Sequence, residues 1–330
     1  MKNIIYFIIS LFFKTFNRLR GIFYKLKLFD QVKFDVPVIS VGNISFGGTG
    51  KTPVSIELVK ILLSYNFRPA VIIRGYRGKL EKKGAILSYG ERILLDEDSA
   101  GDEAVMIAKN LKIAGVFIGK NRINSIKKAK DSGFNIIILD DGFQYRKIKK
   151  DIEIVLFDHE DRTPRREGLS SLKRADIIMI RNGIHDKSIK KFLDRNIYEY
   201  RIEPIGIYDG NDRLLKENVS GKKVIAFCGI ANPAKFLETL NSIGLEVVNF
   251  VRFSDHHRYT RKNIKKMESI LIDKNAEFLI TTEKDMIKIK NLKARYPMYY
   301  LKIKAQFNEK FLKYFENTCI PLFIQNEAQI

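Results

Sequence analysis

The residues best suited to chemistry are Lys51 and Thr52, which close the run Ser45-Phe46-Gly47-Gly48-Thr49-Gly50-Lys51-Thr52. Gly47, Gly48 and Gly50 let backbone N–H groups turn inward around an anion without Cβ clashes. A lysine and a hydroxyl residue at the mouth of a helix add a mobile cation and an oxygen ligand. Lys51 can then reach the outer phosphates of a nucleotide, and the Thr52 hydroxyl can ligate Mg²⁺. Ser45 stands where the general phosphate-loop pattern has its first glycine. Asp140 and Asp141 end the apolar run Ile136-Ile137-Ile138-Leu139. A nucleotide site places its metal-binding carboxylate at such a strand end, although Asp-Asp-Gly is also a turn signal.

Other candidates are less specific. Asp102 and Glu103 follow Gly101 at the start of a helical pattern, where an aspartate alone reads as a cap. Asp255-His256-His257 holds two of the chain's four histidines. An adjacent carboxylate can orient an imidazole and make it more basic. No third ligand at metal spacing accompanies this pair, which argues against zinc. Arg74-Gly75-Tyr76-Arg77-Gly78 is either a turn or a grip on an anionic headgroup, and Lys120 and Arg122 follow a strand toward the same edge.

These groups need a scaffold that brings strand ends together. Val38-Ile39-Ser40-Val41 reads as a buried strand, and Val54, Leu58, Val59 and Leu62 follow at helix spacing. Further strands are expected at 68–74, 115–119, 136–141, 152–157 and 177–180, with helices at 103–112 and 122–131. Such alternation predicts an α/β fold, a mostly parallel sheet with helices on both faces. Near Tyr198–Asp209 the pattern becomes extended and is interrupted by Pro204 and Gly206. A second, smaller α/β series then starts at Lys222. The expected division is a segment over 1–30, a phosphate-loop core over 31–200, and a linker with a second α/β unit over 201–330.

The chain has 330 residues, is 45% hydrophobic and carries a net charge of +21. That charge favours anionic partners, or reflects a lysine-rich composition. No aromatic RNA-binding signature or zinc finger accompanies it, so nucleic acid is not an expected partner. Cys228 and Cys319 alone cannot build a disulfide framework, which suits a reducing compartment. Ile4 to Phe13 is apolar but shorter than the roughly 20 residues of a membrane span. Lys14, Arg18, Arg20, Lys25 and Lys27 follow, interleaved with Phe16, Leu19, Ile22, Phe23, Leu26 and Leu28. This pattern predicts a helix lying on an anionic membrane surface and facing the cytoplasm. Its basic flank follows the apolar run, the reverse of a signal peptide. The alternative is a terminal helix docked on the core.

Together these pieces resemble the tetraacyldisaccharide 4′-kinase family, the lipid A 4′-kinases. The resemblance rests on PVISVGNISFGGTGKTP, RGYRGK, GDEA, GKNR, LDDGFQ, the RRE-GLSSL-RAD segment, FSDHHRYT and TTEKD, in that order. It implies ATP-dependent phosphorylation of the 4′-hydroxyl of a tetraacylated glucosamine disaccharide 1-phosphate, giving lipid IVA. It also implies work at the cytoplasmic face of the bacterial inner membrane. Carried over motif by motif, Ser45, Gly47, Gly48, Thr49, Gly50, Lys51 and Thr52 bind ATP. Thr52, Glu103, Asp140 and Asp141 hold Mg²⁺. Asp102 is the base on the sugar hydroxyl, assisted by His256. Tyr76, Arg122, Gln144, Arg166 and Glu167 lie near the lipid A precursor. Two departures stand out. Asp161–Leu169 is shorter than the family's stretch there, and Tyr145 stands where a histidine is common.

Two other classes compete. A phosphate-loop GTPase or metal-delivery ATPase would want an N-K-x-D motif or a Cys/His cluster, and neither is present in a suitable place. A nucleic-acid-binding ATPase has only the charge in its favour. The oligomeric state is not legible in the sequence.

Overall fold

The structure is a computed structural model that describes residues 15–17, 19–24, 26–158, 165–181 and 196–327. The apolar run 4–13, together with Lys14, Arg18, Lys25 and residues 161–164, lies outside the described residues.

The first half contains β1 (Val38–Asn43), β2 (Pro69–Ile73), β3 (Ala85–Tyr89), β4 (Arg92–Ile93), β5 (Gly115–Ile118), β6 (Ile136–Asp140), β7 (Ile152–Phe157) and β8 (Ile177–Arg181). Its longer sheet-covering helices are α1 (Lys51–Ser64), α2 (Asp102–Asn110) and α3 (Arg122–Asp131). Then come β9 (Asn196–Asp209), β10 (Lys223–Cys228), α4 (Pro233–Ser242), β11 (Glu246–Arg252), α5 (Arg261–Asp273), β12 (Phe278–Thr282), α6 (Glu283–Ile289) and β13 (Met298–Phe307).

Among the described residues thirteen strands form one sheet, in the order β11-β10-β12-β13-β9-β8-β7-β1-β6-β2-β5-β3-β4. The expected strands and helices are present; the β3–β4 hairpin was not anticipated. β1 lies between β6 and β7, parallel to both. It is buried on both faces, which is why its sequence is a continuous apolar run. The period of two still sorts its side chains. Ile39 and Val41 pack with Val54, Leu58 and Leu62 of α1, while Val38 packs with Ile126 and Ala129 of α3 on the other face. The second half repeats this layering, with α4 on one face and α5 on the other.

β9 explains how the halves meet. It pairs in parallel with β8 over Asn196–Tyr200, then antiparallel with β13 over Tyr200–Asp209. The extended stretch read from the sequence is therefore a strand of the shared sheet. Pro204 and Gly206 flank the register shift opposite Lys302 and Ile303. That shift tolerates a residue without an N–H. Because β13 runs against β9, the parallel strands β12, β10 and β11 run against those of the first half. β13, which carries them, pairs along the portion of β9 that projects past β8. The carboxyl ends of the two parallel sets therefore face one another across a cleft, where open α/β sheets bind ligands.

Candidate active site

The loop between β1 and α1 forms one wall of the cleft. Gly50 precedes α1 with φ 83°, a left-handed conformation suited to glycine. No side chain caps that helix, and its first turn holds no acid, so the N-terminus remains suited to an anion. Two neighbours brace the loop: Asn43 Nδ2 donates to Thr49 Oγ1 at 3.0 Å, and the Tyr200 hydroxyl donates to the Thr49 carbonyl at 2.5 Å. Lys51 Nζ lies 3.6 Å from Asp141 Oδ1.

The two carboxylates at the end of β6 have opposite environments. Asp140 is buried and accepts a hydrogen bond from the Ser55 hydroxyl at 2.7 Å. Burial, with Glu103 and Asp141 nearby, lifts its pKa to about 6. At Asp141 burial is outweighed by the charges of Lys51, Arg166 and Arg122, which hold its carboxyl well below the usual range. Arg166 Nη1 donates to both Asp141 carboxylate oxygens, at 2.9 and 3.0 Å. The buried Arg122 donates to the Asp141 carbonyl at 2.8 Å and lies over the Tyr145 ring.

Thr52, Glu103, Asp140 and Asp141 offer only hard oxygen donors, the chemistry Mg²⁺ prefers. Asp140 is a buried carboxylate that accepts from the neutral Ser55 hydroxyl, a group whose charge a divalent cation would offset. Among the described residues no three His, Cys, Asp or Glu side chains converge as a complete metal cage. Mg²⁺ held by one or two carboxylates and by substrate phosphates needs none.

Across the cleft, residues 154 positions apart in sequence meet. His256 Nδ1 lies 3.1 and 3.2 Å from the two oxygens of the buried Asp102. Asp102 begins α2; His256 follows β11 with φ 57°. The His256 carbonyl accepts from Arg77 Nη1 at 3.0 Å, and its ring meets the Tyr76 ring edge-on at 5.3 Å. Burial pushes the Asp102 pKa up, but the His256 hydrogen bond and the charges of Lys284 and Lys288 prevail and hold it at about 2. Asp102 is therefore a carboxylate at neutral pH. A second bridge, Asn110 Nδ2 to Glu283 Oε1 at 2.7 Å, closes the same side.

The remaining candidates divide. Tyr76 is exposed on the rim, under Arg74 and Arg77. Gln144 donates to the Asn43 carbonyl at 2.9 Å and lies within 3.4 Å of Arg166. Glu167 is buried, and its carboxylate takes Arg146 and Arg174 at 2.8 and 2.9 Å, so it faces other protein groups. Sequence reasoning missed Ser55, Tyr200, Lys284 and Lys288. The lysines stand four apart on α6 and so share a face. That spacing, and for Lys284 its place in the TTEKD motif, were the available signals.

Comparisons with known proteins converge. A family model described as tetraacyldisaccharide-1-P 4′-kinase matches residues 3–319. The tetraacyldisaccharide 4′-kinase of Syntrophus aciditrophicus is 35% identical, with 96% of this chain and 91% of that protein covered. That of Desulfotalea psychrophila is 37% identical, covering 90% and 92%. Among solved structures, LpxK from Aquifex aeolicus, crystallised in complex with ATP, superposes with a TM-score of 0.76. It is 26% identical and matches over 95% of this chain and 97% of that one.

Proposed function

The chain belongs to the tetraacyldisaccharide 4′-kinase family, and from that premise we propose how its cleft performs the family's reaction. The enzyme transfers the γ-phosphoryl group of ATP to the 4′-hydroxyl of a tetraacylated glucosamine disaccharide 1-phosphate, forming lipid IVA. The observation that carries the mechanism is the 3.1 Å contact between Asp102 and His256, made where the two sets of strand ends meet.

Phosphoryl transfer asks a protein for alignment and charge neutralisation rather than covalent chemistry. The N–H groups of the loop from Ser45 to Thr52 cradle the phosphates. Lys51 leaves Asp141 for the outer phosphates, and Arg166 keeps Asp141 neutralised when it does. Mg²⁺, when bound, neutralises charge developing on the transferred group; Thr52, Glu103, Asp140 and Asp141 would hold it. Asp102, kept ionised, accepts the proton of the sugar hydroxyl, and His256 orients its carboxylate. Tyr76, Arg122, Gln144 and Arg166 would face the disaccharide. Glu167 acts through Arg146 and Arg174.

We also propose residues 31–200 as the kinase core and 201–330 as linker and second α/β unit. Association with the cytoplasmic face of the inner membrane draws support from the N-terminal helical segment. Its polar side docks: Asn17 donates to the Arg166 carbonyl at 3.1 Å and Arg20 to the Gln144 carbonyl at 2.8 Å. Its apolar residues Leu19, Ile22 and Phe23 are exposed, the reverse of an ordinary surface helix. Among the described residues no helix is long and apolar enough to cross a membrane.

The test is incubation of purified protein with γ-labelled ATP and the disaccharide 1-phosphate in detergent. Label at the 4′-position is expected. Nucleotide hydrolysis without labelled lipid would overturn the kinase reading and favour a switch ATPase.

A further inference from the structure

We propose that Phe46, in the phosphate loop, is a positioning residue that holds the Arg166 guanidinium in place to receive the sugar-phosphate headgroup of the lipid. The inference deepens the proposed function and rests on its reading of Arg166 as a residue that faces the disaccharide.

An arginine side chain has many rotamers, and aiming it costs entropy unless its neighbours hold it. Arg166 is held along its length. Its backbone N–H donates to the Ile44 carbonyl at 2.7 Å, and its carbonyl accepts from Asn17 Nδ2 at 3.1 Å. The preceding residue, Arg165, forms an antiparallel bridge with Ser45. Arg166 therefore runs beside the end of β1, where that strand enters the phosphate loop. At the tip, Nη1 donates to both Asp141 oxygens and lies 3.4 Å from Gln144 Oε1. The ring of Phe46 supplies the last hold. Arg166 Cζ lies over it, 5.4 Å from the ring centroid, within the range of a cation–π contact.

Phe46 is the one aromatic side chain in a loop otherwise built of small residues, Ser45, Gly47, Gly48, Thr49 and Gly50. It is half-buried and belongs to none of the buried apolar clusters among the described residues, so its ring does not serve as core. The guanidinium, in turn, keeps donors in hand. Its N–H groups on Nε and Nη2 make no hydrogen bond among the described residues, and the side chain is 24% exposed. A carboxylate fixes one end of the fork and an aromatic ring one face. The free edge is left for the hydroxyl or phosphate oxygens of a headgroup, which such a fork suits.

The experiment titrates the full-length protein in detergent micelles with the tetraacylated disaccharide 1-phosphate, and separately with ATP. Binding is read without turnover. Phe46→Leu keeps an apolar side chain and removes the π face. Lipid affinity is expected to fall roughly 3- to 10-fold, between the worth of an exposed and of a desolvated cation–π contact, while ATP affinity holds within about twofold. Phe46→Tyr keeps the face and should bind lipid as wild type does. In an Arg166→Gln background, Phe46→Leu should add no further loss, because the partner of the ring is gone.

Weaker ATP binding at unchanged lipid affinity would assign Phe46 to the architecture of the nucleotide loop and overturn the proposal. So would equal losses in the two backgrounds, a Phe46→Tyr protein as weak as Phe46→Leu, or a wild type that does not bind the disaccharide. A protein that shows the expected pattern and labels no lipid would defeat the kinase reading and leave this one standing. Label transfer by a protein whose lipid affinity is indifferent to Phe46 would do the reverse.

Discussion

The Tyr200 hydroxyl reaches the carbonyl of Thr49 at 2.5 Å, which ties the phosphate loop to the strand shared by both halves of the sheet. Tyr200 lies at the point on β9 where pairing passes from Arg181 of β8 to Phe307 of β13. A Cβ on Gly50 would come within 2.9 Å of Ile202, two residues along the same strand. The phosphate loop therefore rests directly on the strand that both halves of the sheet share.

Tyr200→Phe keeps the buried ring and removes that one hydrogen bond. Its cost to stability should be modest, about 1 kcal/mol. The larger effect should fall on the KM for ATP, which rises because the loop loses a brace. A variant with reduced melting temperature and wild-type KM would show that the bond serves the fold alone.

Lys51→Ala and Thr52→Ala should each lower kcat strongly and leave the melting temperature near that of wild type. Both residues lie at the loop–helix junction, only partly buried and outside the apolar clusters. Steady-state rates at saturating Mg-ATP test the assignment. Near-normal turnover in both variants would sink it.

Asp102→Asn should lose most activity, with a rate reduction of about 10²–10⁴ and little change in ATP affinity. The carboxylate is hydrogen-bonded to His256 and held ionised near pKa 2, so an amide would remove the proposed acceptor of the sugar proton. Weaker ATP binding at unchanged kcat would make Asp102 a nucleotide or metal ligand.

The metal-free protein should carry a penalty at Asp140. Its folded pKa of about 6 stands above the ordinary 3.8. Between those values the folded state retains a proton that the unfolded chain has released. Stability therefore falls as pH rises through this window and stays lower above it. With chelator present, Asp140→Asn should melt on the order of a few degrees above wild type at pH 7.5, and the gap should close toward pH 4. Mg²⁺ should raise the melting temperature of wild type alone. A gap independent of pH would mean that burial of this carboxylate is compensated within the fold.

The phosphate loop and the strand carrying Asp140 were legible because each combines a local pattern with a local role. The Asp102–His256 contact was available only through family resemblance, since Asp102 alone reads as a helix cap. The reversal of strand direction in the second half was not legible. It follows from β13 pairing antiparallel to β9, and long-range pairing leaves no mark on either segment's composition. For the same reason Lys284 and Lys288 were not singled out as site residues, although Lys284 lies in the TTEKD motif. Their burial comes from the opposite half of the sheet, which places Glu103 and Asp102 against them.

The last prediction concerns the N-terminal segment. Leu19 is 52% exposed, Phe23 42% and Leu26 61%, although Asn17 on the docked side is buried. Folding does not require that apolar surface to face outward, whereas insertion into a lipid interface does. Removing residues 1–13 deletes the apolar run Ile4–Phe13 and keeps every candidate site residue. Apolar insertion is insensitive to salt, while attraction by Lys14, Arg18, Arg20, Lys25 and Lys27 is screened beyond roughly 10 Å at 0.1 M salt. The truncated protein should therefore bind anionic vesicles at low salt and release as salt rises, with the full chain holding on. Its activity should fall chiefly toward lipid presented in bilayers. Adding Leu19→Ser and Phe23→Ser to the truncation should weaken binding further without lowering the melting temperature, because neither side chain is buried. A helix that merely docks on the core would behave otherwise, with a lower melting temperature and unchanged sedimentation with vesicles. A salt series run beside a melting curve separates the two, and salt resistance that survives truncation would place the anchor elsewhere in the chain.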